Sequence, residues 1–510
     1  MPHTVICQKE ASDLLEEVRP LFEEMISACV SSAADFHQVE EAIGGLIDRM
    51  RPLVVRRGLT TSLTYSPHNY VCPDCQENLT TWGKVARQIE TSQGGALIEV
   101  TRYRCRACSC DYYPAMIGNG LERNNHFTVG SKQRIVEKAV ESPYAHVSNG
   151  LPEVGIDVSA KEVDRITRQS AQWHQEEFGQ EIAGRIEQRE HAAMATFIDE
   201  DAPPSAAAKA PTGLFNWQGW QDAPWCEVSV DGGMVRSPDR DENGKLRWFE
   251  ERSFVLKAFD PAENIALDAG VKIRSLTHDA RTFHGAGVMT LDGTFDWLDA
   301  TLAQRPPSVR NYVFVADDGQ GHFTRARQHF GALAILILDI YHAAEHVGSG
   351  AGAIWGQGSP QVTLIKEQAI AALKEPGGPY RTIRLFIQAL RASRASDGKC
   401  GLPSTVADKE TLLRELRYLW RNRSRMKYSL WLSLGLPIGS GAMESGIKQV
   451  CVARLRKPGM MWTREGANAM LNLRSAHLSG CLPAIYDRKR QNYKNRMAAF
   501  FRSPIEKIAI

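Results

Sequence analysis

The spacing of apolar residues divides this chain into stretches of different period. Between residues 11 and 58, Leu14, Leu15, Val18, Phe22, Met25 and Ile26 recur at the three- and four-residue interval of a helix face, so residues 1–69 are expected to form an N-terminal helical segment. From Tyr70 to Pro114 the pattern changes to turns and short strand-like pieces such as 96–103, framed by pairs of cysteines. Helical spacing returns between Phe127 and Ile198, in SKQRIVEKAV and then in SAKEVDRITRQSAQWHQEEFGQEI. Ser159, followed by Glu162 three residues on, has the form of a capping box at the start of the second helix. The run DEDAPPSAAAKAPTG then reads as a linker, and a domain boundary is expected at 199–215.

Beyond the linker the period shortens towards two. CEVSVDGGMV, RSFVLKAF, NIALDAGVKI, NYVFVADDG and GALAILILD are rich in β-branched and apolar residues and bounded by Gly, Asp or Asn, so each is expected to be a strand. DGTFDWLDATLAQ lies before NYVFVADDG and reads as a helix. Strands and helices in that order predict a mixed sheet covered by helices, an α/β domain over residues 216–480. Residues 343–436 read as almost wholly helical and form an insertion within it. The expected fold class is therefore multi-domain α/β: a helical region, a cysteine-framed ribbon at 70–115, a second helical region at 116–198, the α/β domain, and a basic tail at 481–510.

Composition changes this picture little. A chain of 510 residues is too long for one core, and 43% hydrophobic with 24% charged residues is ordinary globular usage that excludes disorder along most of the length. The net charge of +2 does not announce a nucleic-acid partner, but its distribution is uneven: Lys448 to Arg502 holds twelve Lys or Arg against two acids, Glu465 and Asp487. The start MPHTVICQKEASDLLEE lacks a basic segment followed by an apolar stretch, and the apolar run from Phe330 to Leu338 is far short of the ~20 residues that span a bilayer. A reducing, cytoplasmic location with no membrane partner is expected.

Five of the eleven cysteines lie between Cys72 and Cys110. Cys72-Pro-Asp-Cys75 and Cys105-Arg-Ala-Cys108 are two C-x-x-C knuckles, the pattern that sets four thiolates at the corners of a tetrahedron around a structural Zn²⁺. Cys110 competes for the fourth position. Acids at three further places invite hard cations. Asp231 follows CEVSV, the doublet Asp317-Asp318 ends NYVFVA, and Glu444 lies in the first turns of a helix after the glycine-rich PIGSGAME. Carboxylates at strand ends and helix starts can hold two Mg²⁺ or Mn²⁺ ions, which serve phosphodiester cleavage by activating one oxygen and stabilising another. Behind Glu444 runs a basic stripe, Lys448, Arg454, Arg456, Lys457 and Arg464, expected to meet DNA phosphates. Trp462 is a candidate for stacking on a base or for a place in the core.

VSVDGGMVR (228–236), VADDG (315–319), LDIYHAAEHV (338–347) and the long PIGSGAMESGIKQVCVARLRKPGMMWTREGANAMLNLRS (437–475) resemble the ISKra-type bacterial insertion-sequence transposases, relatives of the Mutator-like DDE enzymes. That resemblance implies a ribonuclease-H-like catalytic domain with a helical insertion. It implies metal-dependent strand cleavage and transfer at the ends of an insertion sequence, with Asp231, Asp318 and Glu444 as the metal ligands. Asp318 is preferred over Asp317 because it directly precedes Gly319. Asp339-x-x-His342 looks like the D-x-x-H signature that accompanies such centres. The implied partners are double-stranded DNA, both element ends and target, and a second copy of the chain; a helix-turn-helix between Phe127 and Gln175 is the candidate reader of DNA. Two other readings compete. One is a DNA-binding regulator that no longer cuts. The other is a zinc peptidase, because His342-Ala-Ala-Glu345-His346 matches H-x-x-E-H.

Overall fold

A computed structural model of the chain describes residues 2–501 apart from 31–35, 65–68, 119, 122–124, 153–154, 199–214, 216, 218, 269–280, 320, 359 and 396–405. The expected linker thus lies almost wholly outside the described residues. The chain divides into two compact units, Met1–His174 with Leu482–Ile510, and Gln175–Cys481. The division falls inside the helix Ala160–Ile198 rather than at the linker.

In the first unit the helices Pro2–Val30 and Phe36–Thr64 run side by side and are bridged by Arg49–Glu24 at 2.7 Å and Arg57–Glu10 at 2.9 Å. Pairs this open to water contribute only about 0–1 kcal/mol each. The firmer attachment is apolar: Val55 and Leu59 pack against a core of Ile89, Ile98, Val100, Tyr113 and Met116. That core is one face of a three-stranded antiparallel sheet, β1 (Leu79–Thr91), β2 (Gly94–Cys105) and β3 (Asp111–Tyr112). A tight turn joins β1 to β2, and Gly94 takes φ +123° there, a value L side chains rarely adopt. Helices Val129–Ala139 and Tyr144–Gly150 follow, the first capped by Thr128, and Ser159 caps the third as its sequence predicts, accepting the Glu162 N–H at 3.2 Å.

The expected basic tail needs correcting. Leu482–Ala498 is a helix that folds into the first unit, with Leu482, Ile485 and Tyr486 buried. The Tyr486 hydroxyl meets Ser170 Oγ at 2.9 Å, and Arg490 donates to Gln133 at 2.6 Å. Counting charges hid the apolar positions between them.

The second unit is built on five strands: β4 (Trp225–Arg240), β5 (Leu246–Phe259), β6 (Thr282–Gly287), β7 (Asn311–Ala316) and β8 (Ala334–Leu338). Their order is β6-β5-β4-β7-β8, antiparallel among the first three and parallel from β4 through β7 to β8. The mixed sheet is as expected, with two differences. β4 does not stop at Asp231 but continues through Gly232 and Gly233 to Arg240 in a long hairpin with β5. The strand expected at 264–273 is instead the helix Pro261–Asp268 over its described part. Pro261 sits at the first helical position and Asp260 Oδ1 accepts the Ala262 N–H at 2.9 Å, a helix start that outweighs the β-like composition.

Alternation sorts β4 into two faces. Val228 and Val230, with Phe254, Leu256 and Phe314, bury against the helix Leu291–Leu302, where Phe295 and Trp297 meet Phe314 and Phe254 at ring distances of 5.9 and 5.5 Å. Glu227, Ser229 and Asp231 lie on the other face, beside Lys257, Val255 and Ser253 of β5. The segment 441–455 packs there. Gly446 sits so close that a Cβ would lie 2.4 Å from a Val255 methyl, so any larger residue would lift the segment off the sheet. The insertion consists of helices Ile340–Trp355, Pro360–Lys374, Gly378–Ala395, Val406–Asn422 and Tyr428–Ser433. No described helix is long and apolar enough to cross a membrane.

Candidate metal and nucleic-acid sites

In the first unit Cys72, Cys75, Cys105 and Cys108 form a group whose sulfurs all lie within 4.8 Å of one another, with Cys72–Cys108 at 3.6 Å and Cys75–Cys105 at 3.4 Å. Four sulfurs bound at 2.3 Å around Zn²⁺ stand about 3.8 Å apart, so the set fits a tetrahedral ion with little adjustment. The residues just after each knuckle, Gln76 and Ser109, take φ of 61° and 59°, the turn that lets both cysteines of a knuckle face inward. Burial raises the Cys72 thiol, but the Tyr112 hydroxyl and backbone N–H groups outweigh it and bring it down to about 6. The Glu77 N–H favours the Cys75 thiolate, yet the Cys105 thiol and burial push it up to about 12. Cys110 belongs to a different group, with Asp74 and Cys108, and not to the four.

On the sheet of the second unit, the parallel register pairs Trp225 with Asn311 and Val228 with Phe314. The pairing ends there; β4 runs on through Asp231, and Asp317 is the first residue after β7. Desolvation raises the Asp231 carboxyl; the Gly232 N–H, donating at 2.7 Å, opposes this, and the charge of Asp317 raises it further. Asp317 in turn is held low by the ring of His322, whose Nδ1 lies 3.0 Å from its Oδ1. Asp318 turns elsewhere. Its carboxylate takes Arg421, Arg425 at 3.4 Å and Asn422 at 3.0 Å. Glu444 is exposed on the helix Gly441–Ile447 and pairs with Lys448 at 2.8 Å, which lowers its carboxyl. Among the described residues, the groups of three or more His, Cys, Asp or Glu with ligand atoms within 4.8 Å are the two cysteine groups. Of the acids expected to converge, Asp231 feels the charge of Asp317, while Asp318 and Glu444 are engaged by cations.

Asp339 holds the frame around them. Its Oδ1 caps the helix Ile340–Trp355 through the Tyr341 N–H at 2.7 Å, and its Oδ2 accepts Ser440, from the backbone at 3.2 Å and from the hydroxyl. The end of β8 is thereby tied to the loop that leads into Glu444. His342 and His346 face each other, Nε2 to Nε2 at 3.3 Å, while His346 Nδ1 meets Glu415 at 2.5 Å and its ring stacks on Tyr418. Glu345 is largely exposed, and no third ligand joins the two imidazoles within 4.8 Å among the described residues.

Two more acids line the same sheet face. Burial pushes Glu227 and Glu251 up to about 7 each; Lys257 opposes the rise at Glu227, and the Ser253 hydroxyl, 2.6 Å away, opposes it at Glu251. The alternation E-V-S-V-D around Asp231 already put Glu227 on that face, and the antiparallel pairing adds Glu251 opposite Gly233.

The basic stripe divides. Arg456 and Arg464 are exposed, Lys457 is half-buried, and Lys448 is engaged by Glu444. Arg454 is a correction: it is 1% exposed, over the Trp462 ring at 5.1 Å and with Met460 sulfur at 3.5 Å. Trp462 is itself latched, its backbone N–H donating to Arg236 at 2.9 Å and its indole to Leu455 at 3.2 Å. We expect Arg454→Met to destabilise the second unit by about 2 kcal/mol, because it strips buried partners rather than a surface charge. Thermal unfolding checks this: an unchanged melting temperature with weakened DNA binding would return Arg454 to the surface set.

No protein-family model and no curated protein sequence matches the chain. Among solved structures it is similar to a chain described as the Drosophila P element transposase strand transfer complex, at 11% sequence identity and a TM-score of 0.24, over 74% of this chain and 84% of that one. At that score the two folds are not shown to agree.

Proposed function

We propose that the second unit is a ribonuclease-H-like domain of DDE type, cutting and rejoining DNA strands, and that its first two acids are Asp231 and Asp317. The observation that carries this reading is that Asp231 on β4 lies near enough to Asp317, the residue just past the end of the neighbouring parallel strand β7, for the charge of Asp317 to raise the Asp231 carboxyl. The strand order supports it: an antiparallel meander of three strands, with two parallel strands added beside the first, is compatible with that architecture.

Glu444 is the third acid in this proposal. On its helix it shares a flank with Ser440, four residues earlier, which Asp339 binds. Ala442, Ser445 and Gln449 occupy another flank and line a cavity of about 530 Å³ with Lys257, Thr282 and His284, on the β6 side. In this proposal Lys448 releases Glu444, and the carboxylate then turns towards the pair. Two divalent ions, when bound, supply an activated attacking oxygen and a stabilised leaving oxygen. Asp339 keeps the Glu444 loop in place, and His322 keeps Asp317 ionised. In the first unit we propose a structural Zn²⁺ on Cys72, Cys75, Cys105 and Cys108.

The test is a strand-cleavage assay with the full chain on a labelled duplex carrying the DNA that flanks its coding sequence. Cleavage and end joining are expected with Mg²⁺ or Mn²⁺ and not with EDTA. Tight binding without cleavage under every metal condition would favour the regulator reading.

A further inference from the structure

A second concentration of cations, apart from the stripe behind Glu444, is the segment 414–427, where Arg414, Arg417, Arg421, Arg423, Arg425 and Lys427 accompany a single acid, Glu415. Helical spacing separates them. Leu412, Glu415, Leu419 and Asn422 are buried, and the acid meets His346, Ser349 and, at 2.8 Å, Arg414, while Arg414, Arg417 and Arg421 are exposed at i, i+3 and i+7, Arg414 remaining largely exposed although paired. At 1.5 Å rise per residue these three guanidinium groups follow one side of the helix for about 10 Å, the length of roughly three phosphates along a DNA strand.

The row ends at Asp318. There Arg421 and Arg425 both close on one carboxylate, and Asn422, fully buried, adds an N–H. One carboxylate is thus shared between two guanidinium groups. Arg421 remains largely exposed although paired, and Asp318 is the residue next to Asp317. An anion with two or three oxygens fits the same fork as the carboxylate, since planar guanidinium groups bind carboxylate and phosphate in the same bidentate manner.

We propose that this helix edge binds a DNA strand, Arg414 and Arg417 following its backbone and the Arg421–Arg425 fork taking a phosphate in exchange for Asp318. Asp318 acts as an internal substitute for phosphate, holding the fork shaped in the DNA-free chain and yielding it when DNA arrives. The proposal rests on the reading of the second unit as a DNA-processing domain, and places the phosphate one residue from the proposed acid pair.

The experiment measures binding of a labelled mixed-sequence duplex to the full-length zinc-loaded chain in EDTA, where no cleavage occurs, across a range of KCl. Arg417→Gln and Arg421→Gln are each expected to weaken binding and to reduce the salt slope by about 0.9, the effect of one lost phosphate contact. Asp318→Asn is expected to tighten binding several-fold, since it removes the competitor and keeps the shape. Asp318→Asn that weakens binding, or Arg variants with the parental salt slope and unaltered melting, would overturn the proposal. Should the wild-type chain cut DNA with Mg²⁺ while these variants bind as it does, this inference fails and the functional reading stands. No binding of DNA by the wild type would remove both.

Discussion

Asp231→Asn and Asp317→Asn are each expected to lower Mg²⁺-dependent strand cleavage roughly 10³-fold or more, whereas the loss on Asp318→Asn stays below about tenfold. An amide keeps the shape of the carboxylate but carries no charge to hold a cation, so the loss should appear in turnover and leave DNA affinity in EDTA near the parental value. The contrast within the doublet follows from strand alternation. Val313 and Val315 share the face of Glu227, and alternation carried one step past β7 would put Asp317 on it too, whereas Asp318 is observed bound by Arg421 and Arg425. Single-turnover cleavage of a labelled duplex separates the outcomes. If Asp318→Asn is inactive and Asp317→Asn cuts normally, the register has been misapplied beyond the end of β7, and the preference drawn from Gly319 stands.

That contrast also marks what the sequence could and could not say. Strand identity was legible at β4, β5, β7 and β8 because each carries a short apolar run between turn residues, and the E-V-S-V-D alternation even assigns faces. The choice within Asp317-Asp318 was not, because it depends on how β7 is registered against β4, some eighty residues earlier, and nothing local encodes that. The helix at Pro261 was legible and overlooked: Asp260-Pro261 is a cap followed by a first-turn proline, a stronger signal than the composition of the ten residues after it. Charge was the least reliable guide. Twelve cations between Lys448 and Arg502 suggested one basic surface, yet Arg454 and Arg474 are buried and Lys448 faces Glu444. The segment 414–427 exposes a row of cations while its acid turns inward, which only the helix phase reveals.

Removing zinc, by chelation or by Cys72→Ser, is expected to unfold one end of the first unit and release its C-terminal helix. Structural zinc contributes an apparent ~10–16 kcal/mol to small zinc-dependent folds, as much as the whole stability of an ordinary domain. The sulfurs sit inside a cluster in which Cys72 and Cys105, fully buried, touch Tyr70, Leu79 and Phe500. The Val71 N–H donates to the Phe500 carbonyl at 2.8 Å, so the last described turn of the chain is fastened to the knuckle itself. The core around Ile89, Ile98 and Val100 does not include the sulfurs and should outlast the loss. The expected signature is therefore partial: faster tryptic cleavage at Lys494 and Arg496, loss of hydrogen-exchange protection at residues 70–79, and a hairpin still protected at 89–100. Cys110→Ser should reproduce none of this, because Cys110 stands outside the four. Zinc-free protein with full protection at both ends would mean that the thiols are packed without a ligand, and zinc lost on Cys110→Ser but kept on Cys108→Ser would mean that the fourth ligand was misassigned.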